Sequence, residues 1–387
     1  MLSRRLPRDL EPNAWSRLLD ERRAAGERLL DLTETNPTHV GLGGAGPNEL
    51  AALGRGEGGR YEPDPRGAPA AREAVAGYYA TRGAAVSPDD VVLTASTSES
   101  YTHLFRLLAD PGDAFLVPAP SYPLFEPLAA MEGVRLRSYR LVHQGEWRLD
   151  ARSLEGAFTA DVRGAIVVQP NHPTGSCLDA GERALLESLC ERHGAAIVSD
   201  EVFGDFPRPG RPALPSFAGA DRVPTFVLSG LSKVGGMPQL KLGWILVSGP
   251  RAARQELLRG LEWIADLFLS VSTPVQLALP RLLEARHAFQ RRVRERLETN
   301  LASLGRLVAR RAELSVLDAE GGWSAVLRLP RVRDEEEWAL ELLRRGVVVH
   351  PGHFYDFADD GWLVLSLIPE PAAFAEGLDR IAEVAAR

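Results

Sequence analysis

The chain has 387 residues, a formal net charge of −7 at pH 7, 45% hydrophobic and 25% charged residues, a composition that fits a two-domain globular protein and excludes a disordered or collagen-like one. The acidic balance argues against a nucleic-acid partner, which would want a basic face, and no run approaches the roughly 18 apolar residues of a membrane span. Met1 to Leu10 hold no apolar signal core, and Cys177 and Cys190 form no CxxC pair, so a cytoplasmic, reducing setting is expected.

The first motifs along the chain are polar loops, Thr33-Glu-Thr-Asn36-Pro-Thr-His39 and then Gly41-Leu-Gly43-Gly-Ala-Gly46. The second satisfies GxGxxG but follows no strand, which counts against a nicotinamide site. Five apolar runs follow, at Val91 to Thr94, Ala114 to Val117, Ala165 to Gln169, Ala195 to Ser199 and Thr225 to Ser229, each separated by enough chain for a crossover helix. That pattern predicts a parallel α/β sheet. Gly243 to Val247 comes too soon for a helical crossover and is expected to run antiparallel. Arg251 to about Arg311 reads as helical and charged, broken by Pro274 and Pro280. The remainder alternates strands (Leu314 to Leu317, Ser324 to Leu329, Val347 to His350, Leu363 to Leu367) with helices at Asp334 to Arg345 and Pro371 to Ala386, a separate α+β layer.

Ligands of parallel sheets gather at the carboxyl ends of the strands, and five such ends here carry chemistry. Thr94-Ala-Ser96-Thr97-Ser98-Glu-Ser100 offers hydroxyls and helix-start N–H groups, an anion site or an ordinary helix cap. Pro120-Ser-Tyr122-Pro holds an aromatic ring in a stiff turn. Gln169-Pro-Asn-His172-Pro-Thr-Gly175 is a polar loop fixed by prolines, and Asp200-Glu201 puts a carboxylate directly after an apolar strand, where it needs a partner. The fifth strand ends in Ser232-Lys233. Lys233 and Lys241 are the only lysines among 45 basic residues. An amine can lose its proton and attack an aldehyde, which a guanidinium cannot.

Taken in this order and spacing, these motifs resemble the class I/II aminotransferases of the fold-type-I pyridoxal-phosphate family, from about Asp31 to the C-terminus. The resemblance implies a mostly parallel seven-stranded sheet between helices in a large domain, residues 48–285, and a smaller α+β domain built from 1–47 and 286–387. It implies pyridoxal 5'-phosphate as cofactor, with Lys233 forming the Schiff base and shuttling a proton. Asp200 would pair with the ring nitrogen, Tyr122 would stack on the ring, and Ser96, Thr97, Ser98 and Ser232 would border the phosphate. Lys241 falls where the family has a phosphate-binding arginine. Tyr61 resembles a tyrosine that reaches the partner subunit's site, which implies a homodimer. The function implied is transfer of an amino group from an amino acid or amine to an oxo acid; a lyase or decarboxylase on the same scaffold, and a non-catalytic binding protein, are the alternatives.

Three positions depart from the family pattern. His172 stands where an asparagine usually meets the cofactor's phenolic oxygen, and Phe203 where a tyrosine shares that oxygen. Trp362-Leu-Val364-Leu-Ser366 lacks the arginine that usually clamps the substrate's carboxylate, and valine has no fork to replace it. Asn36 and His353 are candidates for the substrate side. His350 and His353 invite a metal reading, but Pro-Gly lies between them and no third ligand is evident, so no metal is expected. Ser229, four residues before Lys233 and without Ser-Asp-Asn or Lys-Thr-Gly, does not fit a penicillin-binding serine enzyme.

Overall fold

The computed structural model describes residues 3, 5, 6, 11–54 and 56–386. Helix α1 (Ala14–Ala24) starts at Asn13, whose side chain accepts the Ser16 N–H. Strand β1 (Leu30–Asp31), the short α2 (Pro47–Ala51) and α3 (Pro69–Thr81) lead to the large sheet. Its elements in chain order are β2 (Val91–Thr94), α4 (Thr97–Leu108), β3 (Ala114–Ala119), α5 (Phe125–Glu132), β4 (Arg135–His143), β5 (Trp147–Leu149) and α6 (Ala151–Ala157). They continue with β6 (Val162–Val168), α7 (Ala180–His193), β7 (Ala196–Asp200), β8 (Thr225–Gly230), α8 (Leu231–Val234) and β9 (Gly243–Ser248).

The eight strands lie in the order β2-β9-β8-β7-β6-β3-β4-β5. The pairs β4 to β3, β3 to β6, β6 to β7 and β7 to β8 are parallel, whereas β9 runs antiparallel to both β8 and β2. The antiparallel β9 matches its short connection. Seven strands were expected and eight are present, the extra one being β5, a hairpin partner of β4. β4 carries Arg135, Arg137 and Arg140 and is mostly half-buried or exposed, so it shows none of the apolar continuity that marks a buried strand. Apolar side chains of α3, α7 and the start of α10 cover one face of the sheet, and those of α4, α5 and α9 cover the other.

Helix α9 (Arg251–Asp266) is followed by α10 (Thr273–Arg310), which is unbroken for 38 residues. Pro274 sits in the first turn of α10, where a missing N–H costs nothing. Pro280 does not break the helix as the sequence reading expected; the flanking Leu279, Leu282 and Leu283 are buried, and tertiary packing overrides the local penalty. Beyond it come β10 (Ser315–Val316), β11 (Ser324–Arg328), α11 (Glu335–Arg344), β12 (Val347–Val348), β13 (His350–Pro351), β14 (Trp362–Ser366) and α12 (Pro371–Ala385). β10, β11, β14 and β13 form an antiparallel sheet in that order, and β12 pairs in parallel with β1. A separate apolar core joins Trp15 and Leu19 of α1 to this layer and to the second half of α10. The expected border at 285/286 falls inside α10.

Candidate active site

The parallel strands deliver their carboxyl ends to one edge of the sheet, and antiparallel β9 begins at that same edge. A cleft of about 1030 Å³, open to solvent, lies there, lined by Ser96, Thr97, Ser98, Tyr122, His172, Asp200, Ser232 and Lys233, all of which the sequence singled out. Thr35, Phe203, Gly230 and Gly243 complete much of the wall.

Helix α4 begins at Ser96, whose hydroxyl accepts the Glu99 N–H, so the capping reading of this run holds. The Thr97 and Ser98 N–H groups, at the first two helical positions, have no acceptor among the described residues and face an opening suited to an anion. Gly243 lets β9 approach this turn: a Cβ there would lie 3.2 Å from the Ser96 carbonyl carbon, and one on Gly230 2.9 Å from the Gly243 Cα. The small residues keep the cradle open.

Asp200, at the end of β7, is buried. Its oxygens accept the Tyr101 hydroxyl at 3.0 Å and the Val202 N–H at 3.2 Å, and no cation lies within 4 Å among the described residues. Burial raises its pKa to about 6. The Lys233 amine has no hydrogen-bond acceptor among the described residues; it lies over the Trp323 ring at 5.2 Å and the Phe203 ring at 5.7 Å from the centroids. Burial lowers its pKa to about 8, against the opposing pull of Asp200 and Glu34. A buried carboxylate that has two hydrogen bonds but no paired cation, and an amine with no acceptor among the described residues, therefore share one cleft with unpaired N–H donors. Those groups fit a ligand with a protonated ring nitrogen, an aldehyde and a phosphate, as pyridoxal phosphate has.

His172 lies between Tyr122 and Phe203, each ring centroid 6.0 Å away. Its Nδ1 is 3.1 Å from the Ser324 hydroxyl of β11, and burial, reinforced by Lys233, drops its pKa to about 3, so the imidazole is neutral. The other candidates stand apart from the cleft lining. Lys241 is exposed, in a left-handed conformation just before Leu242 and Gly243. Tyr61 is 77% exposed, beside a different hollow. The Asn36 side chain turns back to accept from the Thr38 N–H and hydroxyl. His353 is exposed and pairs with Glu335 at 3.2 Å. The site also holds Tyr355, from the loop His350 to Tyr355 that the family resemblance marked as bordering the site, and Tyr101 and Trp323, which sequence reasoning missed. Tyr101 alone left a signal, one helical turn after Thr97 on α4.

A profile of "Aminotransferase class I and II" matches residues 48–381. The chain belongs to that family. The family and its fold depend on pyridoxal phosphate. The chain is 26% identical to nicotianamine aminotransferase 1 of Oryza sativa over 328 residues, 81% of this chain and 66% of that protein. It is 30% identical to tyrosine aminotransferase of Mus musculus over 214 residues, 55% of this chain and 47% of that protein. The chain thus spans from about half to just under two thirds of the length of these curated relatives. Among solved structures, an alanine aminotransferase from Pyrococcus furiosus superposes with a TM-score of 0.89 at 22% identity, covering all of both chains. A single mutant of aspartate aminotransferase from Thermus thermophilus gives 0.82 at 25%, covering 99% of each. These likenesses establish the fold-type-I architecture.

Proposed function

We propose that the chain is a pyridoxal-phosphate-dependent aminotransferase that moves an amino group from an amino acid or amine to an oxo acid. The observation that carries this reading is the pairing, across one cleft, of an unpartnered Lys233 amine with a buried, cation-free Asp200. When bound, the cofactor supplies an aldehyde for amine attack and a ring able to hold the electron pair left when a substrate Cα–H bond breaks. With a pKa near 8, the Lys233 Nζ keeps an unprotonated fraction at neutral pH; it would be the group that holds the cofactor's carbonyl carbon and the base that takes and returns the substrate proton. Asp200, oriented by Tyr101 and the Val202 N–H, would hold a proton on a ring nitrogen placed against it. The Thr97 and Ser98 N–H groups and the Ser96 to Ser98 and Ser232 hydroxyls would bind phosphate, and Lys241, outside the cleft lining, would add only a more distant positive charge. Tyr122 would cover one face of the ring, and neutral His172 would supply an N–H to its phenolic oxygen.

We read residues 48–285 as the cofactor-binding domain and 1–47 with 286–387 as the smaller one. The working unit is a homodimer: Tyr61 borders a hollow shared with Ala265 and Leu269, close in sequence to exposed Trp263, Leu267 and Phe268. A second copy covers this face and brings its own Tyr61 to the cleft. Cys177 and Cys190, both buried free thiols, agree with a reducing cytoplasm.

A lyase is the second reading, favoured by the apolar Val364 and by 28% identity to an S-alkyl-thiohydroximate lyase of Arabidopsis thaliana over 60% of this chain. The test is a purified holoenzyme offered a panel of amino donors. Conversion of the bound cofactor to its pyridoxamine form supports transfer; release of ammonia or carbon dioxide without that conversion rules it out. A protein whose colour borohydride does not discharge, or which stays yellow as Lys233→Ala, lacks the Schiff base altogether.

A further inference from the structure

The charge pattern of the cleft bears on which amino compounds it accepts. Among its lining side chains Lys233 is the one cation and Asp200 the one anion. Lys233 is committed to the carbonyl and must be unprotonated to attack it, so its charge is not available to hold a substrate. His172 is neutral, and so is the wall behind it: Tyr355 lies 5.3 Å from His172, ring to ring, and its hydroxyl is hydrogen-bonded at 2.8 Å to Nδ1 of His350, whose pKa burial lowers to about 4. In the small sheet His350 pairs with Val364, an apolar residue on the central strand β14. Arg208 reaches this wall from the far side, but its Nη groups donate to the carbonyls of Gly322 and Ser324. Glu34, next to Thr35 in the lining, adds negative charge near Lys233, its carboxylate meeting His39 Nδ1 at 2.8 Å and accepting the Asn36 N–H at 2.7 Å.

We propose that the cleft selects reactants with no carboxylate on the reacting carbon: primary amines as donors in place of α-amino acids, with aldehydes, or oxo acids whose carboxylate lies away from the carbonyl, as acceptors. This rests on the aminotransferase reading above. A carboxylate carried into the cleft would lose water and find no cation among the described side chains. An amine substrate brings no such group, and Tyr122, Phe203 and Trp323 offer it aromatic surface. The reaction balances as R–CH2–NH2 + R'–CHO giving R–CHO + R'–CH2–NH2. The donor carbon is oxidised by two electrons and the acceptor carbon reduced by two, with nitrogen and protons exchanged between them.

The test uses the holoenzyme and matched pairs that differ by one carboxylate, phenethylamine against phenylalanine and putrescine against ornithine, following the cofactor's absorbance in single turnovers. Each amine should convert the cofactor at least about tenfold more efficiently than its amino acid. In Glu34→Gln, which removes a repulsive charge, that ratio should fall by about threefold. Equal or greater efficiency with the amino acids, or an unchanged ratio in folded Glu34→Gln, overturns the inference while the transferase reading stands. No conversion by either member of any pair, with Lys233 still trapped by borohydride, defeats the transferase reading and the inference with it.

Discussion

With a pKa near 8, about a tenth of the Lys233 amine is unprotonated at pH 7. The rate at which ligand-free protein turns yellow on mixing with pyridoxal phosphate should therefore climb nearly tenfold per unit below pH 8 and level off above it; stopped-flow absorbance checks this, and a flat profile would contradict it. Lys233→Arg should lose at least about a thousandfold in turnover, since the guanidinium stays protonated. Asp200 behaves in the opposite sense. Its folded pKa of about 6 lies above the unfolded value, so the stability that protonation gives the ligand-free chain is present below about pH 4 and is lost as pH rises to 6. Asp200→Asn should then stabilise the ligand-free protein at pH 8 by roughly 2 to 3 kcal/mol while weakening cofactor binding, a trade measurable by denaturant titration with and without ligand. The groups visible in the sequence are those at strand ends, because a strand end is a local signal. Trp323, just before β11, reaches the cleft from the smaller layer through tertiary packing, which no spacing in the chain announces.

The glycine-rich run that mimics a dinucleotide motif does its work as packing. The Gly44 N–H donates to the Gly236 carbonyl in the turn after Lys233, and a Cβ on Gly44 would lie 1.6 Å from the Gly235 oxygen. Gly236, at φ +66, is itself closed in by the Phe289 ring. Gly44→Ala should cost about 1 to 3 kcal/mol and shift the turn that carries the lysine, lowering turnover beyond the loss of folded protein. The sequence marked this run as unusual but not its contact, since residues 44 and 235 meet only once the fold is complete. The parallel strands were readable because burial on both faces makes their sequence continuously apolar. Arginine-bearing β4 lacked that signature, and Pro280 in α10 misled because local propensity yields to packing on two cores.

At the scale of the molecule, Trp263, Leu267 and Phe268 expose large apolar side chains, close in sequence to Ala265 and Leu269, which line a hollow with Tyr61. If a second copy covers it, Trp263→Glu should move the protein toward monomer in sedimentation and cut activity at least about tenfold, because each cleft would lose the partner's tyrosine. A monomeric parent with full activity would refute the shared site. The fold class and the order of the sheet's chemistry-bearing ends could be read from patterns repeated over many residues, whereas the joining of both terminal segments into one layer was implied only by the family resemblance; an interface face could not be read, since exposed apolar side chains are set by the finished surface.

The scarcity of lysine also makes the protein its own analytical reagent. A lysine-specific protease has two places to cut, one at the exposed Lys241 and one at the recessed Lys233. Reductive trapping of any carbonyl compound in the cleft would erase the second cut and leave the first, so one digest and one mass spectrum would report which amine reacted, without a label or an engineered handle.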